Sequence, residues 1–130
     1  MRAFLDTNVP VRHLTGDPPG QASRATALLS GSHELIATDL MVAEVVYVLE
    51  SFYERPRDEV ATLLRSMLAL PSVACPAIDL LLRALELYET VRLDFAEAYV
   101  AAAAEITRIR RVASFDRRLD RVGSIVRVEP

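Results

Sequence analysis

The sequence lacks lysine and tryptophan altogether and has one cysteine among its 130 residues. All fifteen basic side chains are therefore arginine, and any mechanism that requires a lysine amine is excluded. The single cysteine, Cys75, excludes an internal disulfide framework and is typical of a protein from a reducing compartment. We interpret Cys75 as a small buried hydrophobic residue.

Long apolar runs are also missing. No stretch approaches ~18 uninterrupted apolar residues, so no transmembrane helix is expected. The first residues do not show the charged and then apolar pattern of a signal peptide, and we therefore expect a cytoplasmic protein without membrane contact. The chain has four glycines, and none are spaced as in the dinucleotide-binding fingerprint, which argues against a Rossmann-type nucleotide-binding domain.

The composition is that of an ordinary globular protein. Hydrophobic residues make up 52% and charged residues 25% of the chain, and its length predicts one domain over residues 1–130. The formal net charge of -3 gives no overall basic field to attract nucleic acid. A local basic rim could still serve that purpose.

Short apolar segments of strand length alternate with longer segments of helical periodicity. This pattern predicts an α/β fold in which helices cover a parallel sheet. The helix in DLMVAEVVYVLESFY is apolar nearly all round and is therefore predicted to be buried. The helix in DFAEAYVAAAAEITRIR carries an apolar stripe that extends to Ile106 and Ile109. The predicted strands lie in RAFL, in residues 35–37, and in SVAC, RVASF and SIVRV.

Acidic residues stand where a parallel sheet would place a functional crevice, at the carboxyl ends of strands. Asp6 ends the first predicted strand and Asp116 follows the fourth. Glu44 interrupts an apolar helix, where a buried carboxylate needs a cation, a donor or a cavity. Asp94 begins the long helix, and Glu97 shares its helix face because three residues separate them.

Each acid also has an ordinary structural interpretation when it is taken alone. Asp94 and Asp116 could cap helices, and Asp6 could form a turn. Glu44 could pair with an arginine, and Glu97 could be solvated. Carboxylates that converge repel one another unless a cation intervenes, and oxygen ligands favour Mg²⁺ or Mn²⁺ over zinc. Such ions suit phosphodiester hydrolysis.

Four segments resemble, in order, the motifs of the PIN-domain ribonucleases, and in particular of the VapC toxins of bacterial toxin-antitoxin pairs. They are FLDTN, ATDLMVAEVVYVL, LDFAEAYVAAAA and ASFDRRL, and the likeness covers almost the whole chain. The resemblance implies a PIN-like three-layer fold, with a central, mostly parallel sheet of four to five short strands flanked by helices. It implies an endoribonuclease that depends on Mg²⁺ or Mn²⁺. It assigns the catalytic metal site to Asp6, Glu44, Asp94 and Asp116, and it adds Glu97, where relatives usually have aspartate.

The resemblance also implies supporting groups and partners. Thr7, Asn8 and Ser114 match polar positions that hydrogen bond to the acids or to the substrate. An antitoxin protein is expected to hold the enzyme inactive, and a homodimer is expected. We interpret the apolar faces of EVATLLRSMLAL and AIDLLLRALELY as surface for such an interface. RNA also needs positive charge at the rim of an acidic site, and the nearby arginines are Arg12, Arg117, Arg118 and Arg121.

Other functions are less consistent with the sequence. Phosphoaspartate chemistry is disfavoured because the chain has no lysine and because Asn8 stands where a second aspartate would be needed. His13 and His33 are too few and too scattered for a zinc site. The alternative that stays open is a catalytically silent PIN scaffold that only binds a protein partner.

Overall fold

The computed structural model describes residues 1–130 and contains six α-helices, five short strands and one 3-10 helix. The helices are α1 (Asn8–Thr15), α2 (Pro19–Leu29), α3 (Asp39–Ser51), α4 (Arg57–Leu68), α5 (Ile78–Thr90) and α6 (Phe95–Ile106). The strands are β1 (Arg2–Phe4), β2 (Glu34–Ile36), β3 (Val73–Ala74), β4 (Arg111–Ala113) and β5 (Val126–Val128), and the 3-10 helix covers Arg117–Arg121.

Every strand pair is parallel, which confirms the predicted α/β class. The strands form a three-stranded sheet of order β1-β2-β3 and a two-stranded sheet of β4 and β5. The register pairs Ala3 with Leu35 and Leu35 with Val73 in the first sheet, and Val112 with Arg127 in the second. Each strand is at most three residues long, so the helices provide most of the buried apolar surface.

Two compact units divide the chain at residue 78, and each has its own core. Unit 1, Met1–Ile78, contains β1 to β3 and α1 to α4. Thr38 caps α3 by accepting a hydrogen bond from the backbone of Met41, and Gly16 ends α1 with φ 72°, a conformation that glycine adopts without strain. The largest fully buried side chains of unit 1 are Leu29, Leu35, Val42, Leu49, Leu64 and Met67.

Unit 2, Asp79–Pro130, contains nearly all of α5, together with α6, β4, β5 and the 3-10 helix. Tyr88 is fully buried and meets Phe95 edge to face, with ring centroids 6.2 Å apart. Arg83 forms a bidentate ion pair with Glu105, which also accepts a hydrogen bond from Ser124. The Arg83 guanidinium lowers the pKa of Glu105, so this carboxylate stays charged and tied to the fold.

The prediction that α3 is buried on nearly all sides is wrong. One face buries Met41, Val42, Val45, Val46 and Leu49, whereas Glu44 is exposed on the opposite face. Leu40 and Tyr47 are 75% and 69% exposed and share that face with Glu44, since they are four and three residues away from it. The burial cost argued for Glu44 therefore does not arise, and its carboxylate is accessible to ligands.

The apolar stripe predicted for α6 is too long. The helix ends at Ile106, and Arg108 and Arg110 follow with φ values of 62° and 61°, which turn the chain away from the helical path. Ile106 and Ile109 are 51% and 68% exposed as a result. Phe95, Ala98 and the other buried alanines hold α6 against the core.

Most apolar side chains of α4 and α5 are buried within the chain, and the dimer interface expected there stays a prediction. Val60, Leu64 and Met67 of α4 are fully buried, and Leu82 of α5 is 39% exposed. The most exposed large apolar side chains lie elsewhere, at Phe4, Leu40, Phe52 and Phe115. No helix is long and apolar enough to cross a membrane.

Candidate functional site

Asp6 lies within the first candidate motif, at the point where strand pairing stops. The backbone N–H of Leu5 donates to Ile36 at 2.9 Å, one residue beyond β1, and Asp6 follows directly. The carbonyl of Asp6 accepts from the N–H of Val9 at 3.1 Å, which confirms the predicted turn. The turn uses the backbone only, and the side chain of Asp6 is exposed.

Glu44 is held by a hydroxyl group, and no arginine pairs with it. Thr7 Oγ1 donates to Glu44 Oε2 at 2.5 Å, which confirms the prediction that Thr7 hydrogen bonds to one of the acids. Thr7 stands at the N-cap position of α1, yet its side chain forms no capping bond. The hydroxyl of Thr7 thus orients the carboxylate of Glu44 and does not stabilise the start of α1. We call Asp6 and Glu44 the unit 1 acids.

Asp94 occupies the N-cap position of α6 without capping it. Its backbone is extended, with φ -60° and ψ 152°, and its side chain makes no bond to the helix N–H groups. The side chain is 60% exposed and lies 3.3 Å from Arg118 Nη2 through Oδ2. The capping interpretation of Asp94 therefore describes its position but not its contacts.

Asp116 does cap a helix, as one interpretation predicted, and it also binds an arginine. Its Oδ1 accepts from the N–H of Arg118 at 3.0 Å, and its own N–H donates to Ser114 Oγ at 2.9 Å. Arg118 donates to the same carboxylate through Nε and, at 2.7 Å, through Nη2. These bonds lower the pKa of Asp116 from 3.8 to about 2, so the group is ionised at neutral pH.

A single nitrogen, Arg118 Nη2, touches both carboxylates of unit 2 that the sequence assigned to the metal site. It lies 2.7 Å from Asp116 Oδ2 and 3.3 Å from Asp94 Oδ2. The guanidinium of Arg118 therefore occupies a position in which a single cation contacts both carboxylates. Because all the donors are oxygen atoms, the set suits Mg²⁺ or Mn²⁺. We call Asp94, Glu97 and Asp116 the unit 2 acids.

Glu97 supplies an unsatisfied oxygen in the first turn of α6. Its Oε2 is buried and has no hydrogen-bond partner. A buried polar atom of this kind normally has a partner, because leaving it unpaired costs about 1–3 kcal/mol. The expectation that Glu97 is simply solvated is wrong for this oxygen, and a cation would satisfy it.

The five predicted acids do not form a metal cage. No group of three or more His, Cys, Asp or Glu side chains is arranged to hold a metal ion. The structure brings Thr7 to Glu44 within unit 1, and it brings Asp94 and Asp116 to Arg118 within unit 2. The donor chemistry fits a hard divalent ion.

The arginines expected at an RNA-binding rim have different surroundings. Arg118 contacts Asp94 and Asp116, and its role at an RNA-binding rim stays a prediction. This pairing could have been suspected from the sequence, since Arg118 follows Asp116 by two residues. Arg121 donates to the carbonyl of Val91 at 3.4 Å, and Arg117 is exposed. Arg12 donates through Nε to Gln21 at 2.8 Å.

Neither histidine belongs to a metal site. His13 Nδ1 lies 2.8 Å from Thr26 Oγ1 and links α1 to α2. His33 lies 3.4 Å from the amino group of Met1. Both serve local packing.

Comparison with known proteins agrees with the geometry and the motifs. The family model of the PIN domain matches residues 3–125. No curated protein matches the chain. PIN domains are generally nucleases, and PIN nucleases generally use divalent metals. The match includes all five candidate acids and nearly the whole chain, and the protein therefore belongs to the PIN-domain family.

Proposed function

We propose that the chain is an endoribonuclease, dependent on Mg²⁺ or Mn²⁺, that acts in the cytoplasm as the toxin of a toxin-antitoxin pair. It would hydrolyse phosphodiester bonds in RNA. One observation carries the proposal: in a PIN-family chain, Asp94 and Asp116 share one cation position, which Arg118 Nη2 marks. Carboxylate oxygens are the donors that a hard divalent metal prefers, and PIN nucleases generally use such a metal.

The unit 2 acids would hold the metal, with Asp94 and Asp116 as the principal ligands. Glu97 would supply its unpartnered oxygen, Oε2. The family motifs assign two further carboxylates, those of Asp6 and Glu44 in unit 1. When bound, a divalent cation activates water for attack and neutralises the charge that builds on the phosphate.

Glu44 is the better candidate for accepting the proton of the attacking water. A base must have a pKa near the working pH to be effective, and the pKa of Asp116, about 2, makes that carboxylate a weak base. Thr7 holds Oε2 of Glu44 and leaves Oε1 able to accept a proton. We therefore assign Glu44 to proton transfer and Asp116 to cation binding.

Arg118 must give up its contacts before a metal can use both unit 2 carboxylates. A guanidinium and a divalent cation compete for the same oxygens, and the two charges repel each other at that distance. Arg118 would then be free to meet a phosphate group, which it can bind in a bidentate manner.

The proposed partners are the RNA substrate, a cognate antitoxin and a second copy of the chain. The Arg118 contacts support the antitoxin, since they show that a guanidinium fits the unit 2 acids. A basic segment of the antitoxin could occupy this position and exclude the metal. The homodimer is proposed on family grounds.

A metal-dependent cleavage assay tests the function. Purified protein would be incubated with RNA in Mg²⁺, Mn²⁺ or EDTA, beside the variants Asp6→Asn and Asp94→Asn. We expect cleavage that needs the metal and that both variants lose. Equal activity in wild type and variants would assign the cleavage to a contaminant and refute the proposal.

A silent scaffold is the second candidate, and one observation favours it. Arg118 neutralises Asp94 and Asp116, and no three acids form a metal cage. If the wild-type chain binds no Mn²⁺ and cleaves no RNA, while it still binds a protein partner, the scaffold is the correct interpretation.

A further inference from the structure

A cleft between α1 and α2 lies close to the first acidic motif and has no assigned role. Its volume is about 260 Å³, and its walls come entirely from unit 1. The lining residues are Asn8, Val9, Arg12, Gln21, Arg24, Ala25 and Leu28. Asn8 follows Asp6 by two residues, so the cleft begins next to this acid along the chain.

The cleft is positively charged in a chain whose net charge is negative. Two arginines line it and no carboxylate does. Elsewhere the arginines commonly pair with acids: Arg2 with Glu34 at 3.0 Å is an example in the same unit. Arg24 makes no hydrogen bond or ion pair within the chain. An unneutralised pair of guanidinium groups attracts anions.

Arg12 is oriented for such a ligand. Its Nε donates to Gln21 Oε1 at 2.8 Å, which fixes the plane of the guanidinium and leaves both terminal nitrogens available. A guanidinium held in this way loses less conformational entropy when it binds, and its fork matches two oxygens of a phosphate. The side-chain amide of Asn8 adds a neutral donor to the same wall.

We propose that the cleft between α1 and α2 binds a phosphodiester group of a single-stranded RNA through Arg12 and Arg24. The inference rests on the proposed function, because it makes the cleft a subsite that holds the substrate strand beside Asp6. The contact is with the backbone phosphate, so it strengthens binding without reading the base sequence.

The test is RNA binding measured without catalysis. The full chain would be titrated into a fluorescently labelled single-stranded RNA in EDTA at low salt, and anisotropy would report the Kd. We expect Arg24→Gln and Arg12→Gln each to weaken binding about tenfold, as for a lost charge-assisted hydrogen bond. Each should also reduce the slope of log K against log salt by about 0.7.

Arg2→Gln is the matched control, since it removes the same charge from the same unit but from an arginine paired with Glu34. It should change the Kd by less than about twofold. An equal loss in the control would assign the effect to net charge and overturn the subsite, as would unchanged binding in both cleft variants. No RNA binding by the wild type would overturn it as well.

Arg24→Gln keeps the test decisive even if Arg12→Gln unfolds, because Arg24 supports no contact in the fold; circular dichroism reports folding. The cleavage assay tests the nuclease proposal independently of this RNA-binding measurement. A chain that binds RNA through Arg24 but does not cleave it supports the subsite and refutes the nuclease.

Discussion

Glu44 of unit 1 is held by a neutral hydroxyl, whereas Asp94 and Asp116 of unit 2 share one guanidinium. Glu44 accepts from the hydroxyl of Thr7, and Asp6 has an exposed carboxylate. Asp94 and Asp116 both contact Arg118, whose side chain donates three hydrogen bonds to Asp116 and one to Asp94. Glu44 is thus left without a counter-charge, whereas Asp94 and Asp116 share one.

This difference separates two tasks, proton transfer and cation binding, that the acidic motifs of the sequence do not distinguish. The hydroxyl of Thr7 occupies one oxygen of Glu44 and leaves the other oxygen of this exposed side chain without a partner. A carboxylate held by a guanidinium stays ionised down to low pH and serves best as a ligand for a cation. We therefore propose Glu44 for proton transfer and Asp116 for cation binding.

The helix starts differ within each unit. Thr38 and Asp116 stand at N-cap positions and do cap their helices. Thr7 and Asp94 also stand at N-cap positions, yet neither side chain caps. A cap contributes about 1 kcal/mol, so a side chain that forgoes it is available for another contact. Both of these residues lie in candidate motifs.

The largest expected effect comes from Glu44→Gln. The amide keeps the shape of the side chain and can still accept from Thr7, but it cannot take a proton at neutral pH. We expect the cleavage rate to fall by about 10²–10⁴-fold. Single-turnover kinetics with labelled RNA would measure it.

Glu50→Gln is the matched control for this substitution, since Glu50 is an exposed glutamate of the same helix. It should cleave RNA at the wild-type rate. If the two variants have similar rates, proton transfer does not belong to Glu44, and the division of tasks between the units is wrong.

Thr7→Val should have the next largest effect. It removes the hydroxyl that orients Glu44 and leaves the helix cap unaffected, because Thr7 forms no capping bond. We expect cleavage to fall by about 10–100-fold, as for other groups that orient a reacting side chain, with little change in Tm. Thr7→Ser restores the donor and should recover most of the rate. Failure of serine to rescue would show that the methyl group, and not the hydroxyl, matters.

Arg118→Gln should have the smallest effect, and this effect can be measured without an RNA cleavage assay. The pKa of Asp116 should rise from about 2 toward 3.8 when the guanidinium is removed, and carbon-13 NMR of the carboxyl group would follow it. The folded pKa is below the unfolded value, so this pair stabilises the fold above about pH 4 and the stabilisation is lost as the pH falls toward 2.

Arg117→Gln provides the comparison, because Arg117 is an exposed neighbour in the same 3-10 helix and causes none of the shift at Asp116. The pKa of Asp116 should stay near 2 in this variant. A similar rise in both variants would mean that general charge, and not the Arg118 hydrogen bonds, lowers the pKa.

Much of the fold follows from local signals in the sequence. The six helices and five strands were predictable from periodicity, from the cap at Thr38 and from the glycine at the end of α1. The exposed face of α3 was not predictable from the sequence. Leu40 and Tyr47 are apolar residues, and no local rule reveals which face of the helix the rest of the chain covers. Tertiary packing decides this.

The acids of the candidate site could be predicted from the sequence, but their ion-pair partner could not. Motif order indicates Asp6, Glu44, Asp94 and Asp116, and it suggests polar support from Thr7. The bridging of two carboxylates by Arg118 depends on the return of the chain after β4 toward the start of α6, a distance of 24 residues along the sequence. Sequence spacing alone does not reveal such a contact.

Titration of the protein with Mn²⁺ by calorimetry tests the central claim most directly, because it measures the cation site without any reaction. Wild type, Asp94→Asn and Arg118→Gln would be compared. The proposed site predicts binding by wild type, binding weakened at least about tenfold in Asp94→Asn, and tighter binding in Arg118→Gln. Absence of Mn²⁺ binding by wild type, or equal binding by wild type and Asp94→Asn, would contradict the metal site.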